Sequence, residues 1–336
     1  MCNRKKIFFM LPLLLGVLIF RVTAQTGENS SVSKTGGTTS FGLSGSASVS
    51  LEALESFDKN VASARAAYGK ELKIEPMDAG VKITKKAVIF QPENEGSEYV
   101  LSGYFKGQII NRKKNTVLKL KDAYLENTVG LPPVYGEAKT ELSCAADSVN
   151  YVVSTGKSQD KVAAIQCRKN LVLGGSGTLF VKGGVYHGIK ADGVKIKGKG
   201  CFVLQGTKHG AAVNCNTFTV EEGKDLTACL MNSKNGIKAD EVIKIASGNF
   251  VLYKDGTGLK VDAVNNGEEN GILLTGGTIS SIETGKLYSA DKNRFTNTGA
   301  RLLDQLPAGN PAGNGTSAGL QAGNSTILPA GGADGN

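Results

Sequence analysis

HGIKADGVKI, residues 187–196, returns as NGIKADEVIKI at 235–245 and more loosely as TGLKVDAV at 257–264. With Gly188, Gly236 and Gly258 in register, weaker copies emerge at Ala212-Val213-Asn214-Cys215-Asn216 and at Ala164-Ile165-Gln166-Cys167-Arg168. The anchors 164, 188, 212, 236 and 258 are 24, 24, 24 and 22 residues apart, and Glu141-Leu142-Ser143-Cys144 fits one step earlier at 23. Short β-type runs repeating at such a period and punctuated by glycine are the mark of a solenoid. Each repeat holds two or three such runs; in the one starting at Gly188 they are Ile189 to Ala191, Val194 to Ile196 and Cys201 to Leu204. Three short strands with turns between them return the chain one strand spacing further on, as a coil of a parallel β-helix.

Side chains alternate along a strand. Ile189, Ala191, Ile237, Ala239, Leu259 and Val261 are therefore expected inside, and Lys190, Lys238 and Lys260 outside. Stacked copies would build an outer column Gln166–Lys190–Asn214–Lys238–Lys260. Cys144, Cys167 and Cys215 take the repeat position filled elsewhere by Ala191, Ala239 and Val261. That is a column of small buried residues, or, for Cys144 and Cys167 on adjacent coils, a pair within reach of a disulfide.

Working outward, Arg4-Lys5-Lys6, the apolar run Ile7 to Phe20 and Val22-Thr23-Ala24 read as a signal peptide over 1–24. Export is thus expected, to the medium, periplasm or cell surface. Its removal lowers the net charge from +9 to +5, too mild a surplus to argue for a partner. No aromatic-studded basic groove points to nucleic acid. Residues 25–49 read as a flexible Ser/Gly-rich leader. Within 50–70, Leu51, Leu54, Phe57, Val61, Ala64 and Tyr68 recur at helical spacing, predicting an amphipathic helix that caps an end of the solenoid. The β-domain spans 71–306, interrupted by a loop over Asn127 to Gly136 that contains Pro132-Pro133. Residues 307–336 lack the apolar content for a core and read as a disordered Gly/Asn/Ala-rich tail.

No GxSxG, HExxH, P-loop or dinucleotide fingerprint is present. The scattered acids provide no pair that can be assigned to the separation glycoside hydrolysis requires. Asp192, Asp240 and Asp262 follow the small core residue of each copy, with Asp255 nearby. They are either turn formers or oxygen ligands for Ca2+. Lys190, Lys195, Lys197, Lys238 and Lys260 are candidates to bind an acidic, uronate-containing polysaccharide, or are simply a solubilising face. Tyr186 and His187 are further candidates to bind the polysaccharide, Tyr186 by offering a ring for sugar stacking.

The run Ser97 to Gly103 followed by Gly107 to Ile110, GSGTL-V at Gly175 to Val181, the HGIK-D-V-I coils and NG-I-TGGTI at Asn270 to Ile279 resemble a known family over about residues 72–285. This is the clostridial-type family of secreted bacterial carbohydrate-binding domains. The resemblance implies a right-handed, single-stranded parallel β-helix, non-catalytic polysaccharide binding and calcium between coils. Family members carry an acid immediately before the repeat glycine; here His187, Asn235 and Thr257 stand there. The expectation is therefore an all-β, non-enzymatic protein binding extracellular polysaccharide, possible calcium included. The alternatives are a surface structural or adhesive scaffold and a degenerate polysaccharide lyase.

Overall fold

The computed structural model describes residues 32–35, 38–41, 51–69, 71–93, 97–158, 160–262, 270–290 and 294–305. The signal segment, most of the leader and the 307–336 tail lie outside the described residues. Within the stretch read as a flexible leader, Val32–Thr35 pairs antiparallel with Thr38–Phe41.

The described chain is all-β apart from one helical segment, and its strands from Leu72 onward join a large, mostly parallel sheet separate from that hairpin. Its strands fall into three ladders. The first contains Ala87–Phe90, Gln108–Asn111, Val134–Gly136, Ala163–Cys167, His187–Lys190, residues 211–215, residues 235–239, Thr257–Val261 and Lys286–Ser289. The second begins with residues 98–101 and 116–120 and continues through Thr140–Cys144, Leu171–Gly175 and Gly193–Ile196. The third contains residues 123–127, Val149–Ser154, Thr178–Gly183, Cys201–Gln205, Thr227–Met231, Asn249–Tyr253 and Thr278–Ile282. Along the sequence the chain visits the ladders in that order and then returns to the first, one rung further on.

Inner faces of all three ladders meet in one core: Val213, Ile237 and Leu259 from the first, Leu142, Leu173 and Ile196 from the second, Val181, Leu204 and Leu252 from the third. Ile189 and Ile237 are wholly buried whereas Lys190, Lys238 and Lys260 are partly exposed, as alternation requires. The repeat glycines sit at a crowded corner. A Cβ on Gly188 would lie 2.6 Å from the Ala212 carbonyl oxygen, and one on Gly236 would lie 2.7 Å from that of Gly258. Close backbone approach, rather than a left-handed φ, excludes a side chain there.

Glu141–Cys144 does not belong to the GIKAD ladder. Ile165 pairs back with Val134, 31 residues earlier, and Cys144 lies in the second ladder between Leu120 and Gly175. The extra residues are in the corner between Ser154 and Ala163, so stepping back by a constant period lands on the wrong column. Cys144 and Cys167 are consequently not rung neighbours, and all five described cysteines are free and buried. Val134–Gly136, read as part of a loop, is a strand of the first ladder.

The helical segment, Leu51–Glu55 and Phe57–Ala64 followed by a 3-10 turn at Arg65–Ala67, also departs from expectation. It covers the outer face of the third ladder rather than an end. Leu54, Phe57 and Val61 pack on Tyr124, Tyr151, Phe180, Val203, Cys229, Met231 and Tyr253. Tyr124 Oη donates to the Val61 carbonyl at 3.1 Å, Tyr68 Oη donates to that of Val149 at 2.7 Å, and Asp58 pairs with Lys182 at 2.7 Å. The helix thus runs against the direction in which the coils stack. Its place follows from hydrophobicity: the third ladder is apolar on both faces, and a helix with one apolar stripe buries the second. The N-terminal end is closed by antiparallel strands instead, Leu72–Glu75 on residues 100–103 and Val81–Ile83 on 88–90.

Candidate functional site

Gln166, Lys190, Asn214, Lys238 and Lys260 occupy one register position on five successive rungs of the first ladder. The column continues to Ser289 on one side and to Tyr135, Ile110 and Ile89 on the other. With rungs about 4.8 Å apart, these side chains form a strip along the coil axis.

Acids border this strip at the corner leading to the second ladder, and each has a partner. Asp192 Oδ1 accepts from Asn216 Nδ2 at 2.7 Å. Lys238 Nζ lies 2.8 Å from Asp262 Oδ2 and 3.4 Å from Asp240 Oδ1, while Lys260 Nζ lies 2.8 Å from Asp262 Oδ1. Burial alone would raise the Asp262 carboxyl, but hydrogen bonds and charge from Lys238 and Lys260 outweigh it and hold it below its ordinary value. Asp255 is elsewhere, on the corner between the third and first ladders, 2% exposed. Its Oδ1 accepts from the Ser233 amide at 2.9 Å and its Oδ2 has no partner among the described residues. Burial pushes this carboxyl well above its usual range. Among the described residues no group of three or more His, Cys, Asp or Glu side chains is placed to hold a metal ion. Asp192, Asp240, Asp262 and Asp255 do not fit a shared calcium site: two are bridged by an ammonium, one is bonded to an amide and one is buried apart.

The basic candidates divide between two faces. Lys195 is on the second ladder and Lys197 directly follows its strand; Lys195 pairs with Glu221 and Lys197 with Glu141 at 2.7 Å. Lys190 enters no ion pair among the described residues. His187 is 6% exposed and its Nδ1 accepts from the Ala211 amide at 3.0 Å. Burial first, then the charges of Lys190 and Lys238, lower its pKa to about 4, so it is neutral at pH 7. It supports the corner rather than presenting a ring to a ligand. Tyr186 packs edge-on against His187 at 4.6 Å, with Lys161 Nζ 5.7 Å from its ring centroid, and stays partly exposed.

A groove of about 630 Å³ lies where the early rungs of the first ladder turn into the second. Arg112, Lys114, Lys139 and Lys169 line it against Glu137 and Asp192. Neither this groove nor Tyr135 stands out in the sequence, because Val134–Gly136 is a three-residue strand behind two prolines and the lysines come from separate turns.

A family model described as "Carbohydrate-binding domain-containing protein" matches residues 78–332. The chain belongs to this family. The match includes every rung of the strip from Ile89 to Ser289 and extends into residues read as a tail. A solved structure described as the polysaccharide lyase-like protein from C. thermocellum, a gadolinium derivative, aligns with a TM-score of 0.44 and 19% identity, covering 69% of this chain and 90% of that one. No curated protein matches. No helix among the described residues is long and apolar enough to cross a membrane.

Proposed function

We propose that this carbohydrate-binding family member is an exported, non-catalytic protein that binds an acidic polysaccharide along the outer strip of its first ladder. In this reading the three ladders wind as a right-handed parallel β-helix, the sense implied by the family resemblance. Family membership carries the proposal. The strip from Tyr135 to Ser289 supports it, since a linear polymer is best met by a linear array of side chains. Lys190 gives that array a cation without a counter-ion among the described residues, which favours uronate or other anionic sugars. Asp192, Asp240 and Asp262 beside the strip are held by Asn216, Lys238 and Lys260, which argues against their use as a catalytic base, and calcium has no role in this reading.

The test is affinity electrophoresis of the chain through gels containing uronate polymers, sulfated polymers or neutral glucans, each with EDTA and with Ca2+. Retardation by an anionic polysaccharide, equal in both conditions, is expected. Free migration in all gels would overturn the reading. Release of an unsaturated uronate product, followed by ultraviolet absorbance, would replace it with a lyase.

A further inference from the structure

The early rungs of the strip differ from the later ones in chemistry. From Lys190 onward its positions are Lys190, Asn214, Lys238, Lys260 and Ser289; before Gln166 they are Ile89, Ile110 and Tyr135. Outward aliphatic and aromatic side chains on three consecutive rungs are unusual where a ladder face meets water. Ile89, Ile110 and Tyr135 are partly exposed, unlike the outer face of the third ladder, which the helix covers.

Two features flank this platform. On the side where the chain enters the first ladder, the loop before Val134 exposes Val129 and Leu131, 70% and 45%. The loop is well tied. Asn127 Oδ1 accepts from the Val129 and Leu131 amides at 3.0 and 3.3 Å, and Gln108 Nε2 donates to the Pro132 carbonyl at 3.0 Å. Its two aliphatic side chains are therefore held outward by local bonding. On the side where the chain leaves the ladder lies the basic groove, whose residues follow on the platform strands and the next rung: Arg112 two places after Ile110, Lys139 four after Tyr135, Lys169 three after Gln166. Arg112 is paired with Glu137 at 3.2 Å, but Lys114, Lys139 and Lys169 enter no ion pair among the described residues. Arg168 adds a guanidinium 5.9 Å from the Tyr135 ring centroid.

We infer that Tyr135 is the centre of a primary sugar subsite, in which a pyranose ring stacks on Tyr135 beside Ile110 while its anionic substituent enters the groove at Lys139 and Lys169. This rests on the polysaccharide-binding reading and goes further by placing the primary contacts at the early rungs, ahead of Lys238 and Lys260. Lys238 and Lys260 are engaged with Asp240 and Asp262, and a ligand must compete for them; the groove lysines are free of such competition. Ring stacking contributes through apolar contact at low conformational cost, and the lysines supply selection for charge.

The experiment is calorimetric titration of the full chain with a uronate oligosaccharide and with its carboxyl-reduced, neutral counterpart. Tyr135→Ala is expected to weaken binding of both about tenfold, and Tyr135→Phe to retain it. Lys139→Gln with Lys169→Gln should erase the preference for the uronate and reduce the salt dependence, leaving the neutral sugar unaffected. Lys238→Gln with Lys260→Gln should change either affinity less than threefold. Circular dichroism of each variant verifies the fold. If the wild type binds and Tyr135→Ala binds equally, the subsite is wrong and the general reading stands. If the wild type binds neither sugar, both fail.

Discussion

Asp255 and His187 are buried titratable residues whose effects on stability run in opposite directions with pH. Asp255 has a raised pKa, so the folded state favours its protonated form. Its contribution is complete below the ordinary carboxyl value near 4 and declines by about 1.4 kcal/mol per unit as pH rises toward the folded pKa. Asp255→Asn should remove that slope, measured as the pH dependence of the urea unfolding free energy from pH 4 upward. His187 has a lowered pKa of about 4, so its contribution is complete above the ordinary value and is lost as pH falls. About 3 kcal/mol should disappear between pH 6.5 and 4. His187→Asn, which copies Asn235 two rungs along the same column, should flatten this loss. The five described cysteines are unlinked and buried, and burial pushes the Cys144, Cys167 and Cys201 thiols up to about 12, away from the thiolate form.

At the level of elements, the helix and the lysine-bridged corner fix the third and first ladders respectively. Phe57 is 2% exposed and its ring lies 6.1 Å from that of Phe180. Phe57→Ala should cost about 3 kcal/mol, and binding of an apolar dye should rise as the Tyr124–Tyr151–Phe180 stack loses its cover. Tyr124 and Tyr151 stack at 5.3 Å, Tyr151 and Phe180 at 4.9 Å, so the exposed strip would be continuous. In the corner, Lys238 joins Asp240 of its own coil to Asp262 of the next, so an ammonium already neutralises the two carboxylates. The thermal midpoint of the wild type should therefore be indifferent to EDTA. Lys238→Met with Lys260→Met should lower stability by about 1 kcal/mol, in keeping with partly exposed pairs, and added Ca2+ should recover some of it.

On the scale of the whole molecule, coil length separates what was legible in the chain from what was not. Where coils keep a period of 24, as from Ile165 through Ile189 and Val213 to Ile237, alternation and spacing were sufficient to assign Ile189, Ala191, Ile237 and Ala239 inward and Lys190 and Lys238 outward. Where a corner takes extra residues, the same alternation fits more than one column, and Cys144 was placed in the wrong ladder. The helix was legible as amphipathic, but its docking surface was not, because an apolar stripe specifies that something must be covered without specifying what. The acids were legible as a repeat; their lysine partners were not, since Lys238 reaches across to Asp262 on the next coil. By itself, then, the sequence determined the all-β repeat, the core-facing residues and the column on which Lys190, Lys238 and Lys260 stand, all consequences of local periodicity. Only the tertiary structure decided which charges are already neutralised, which lysines enter no ion pair among the described residues and that Arg168 meets the Tyr135 ring, because those relations join turns from different coils.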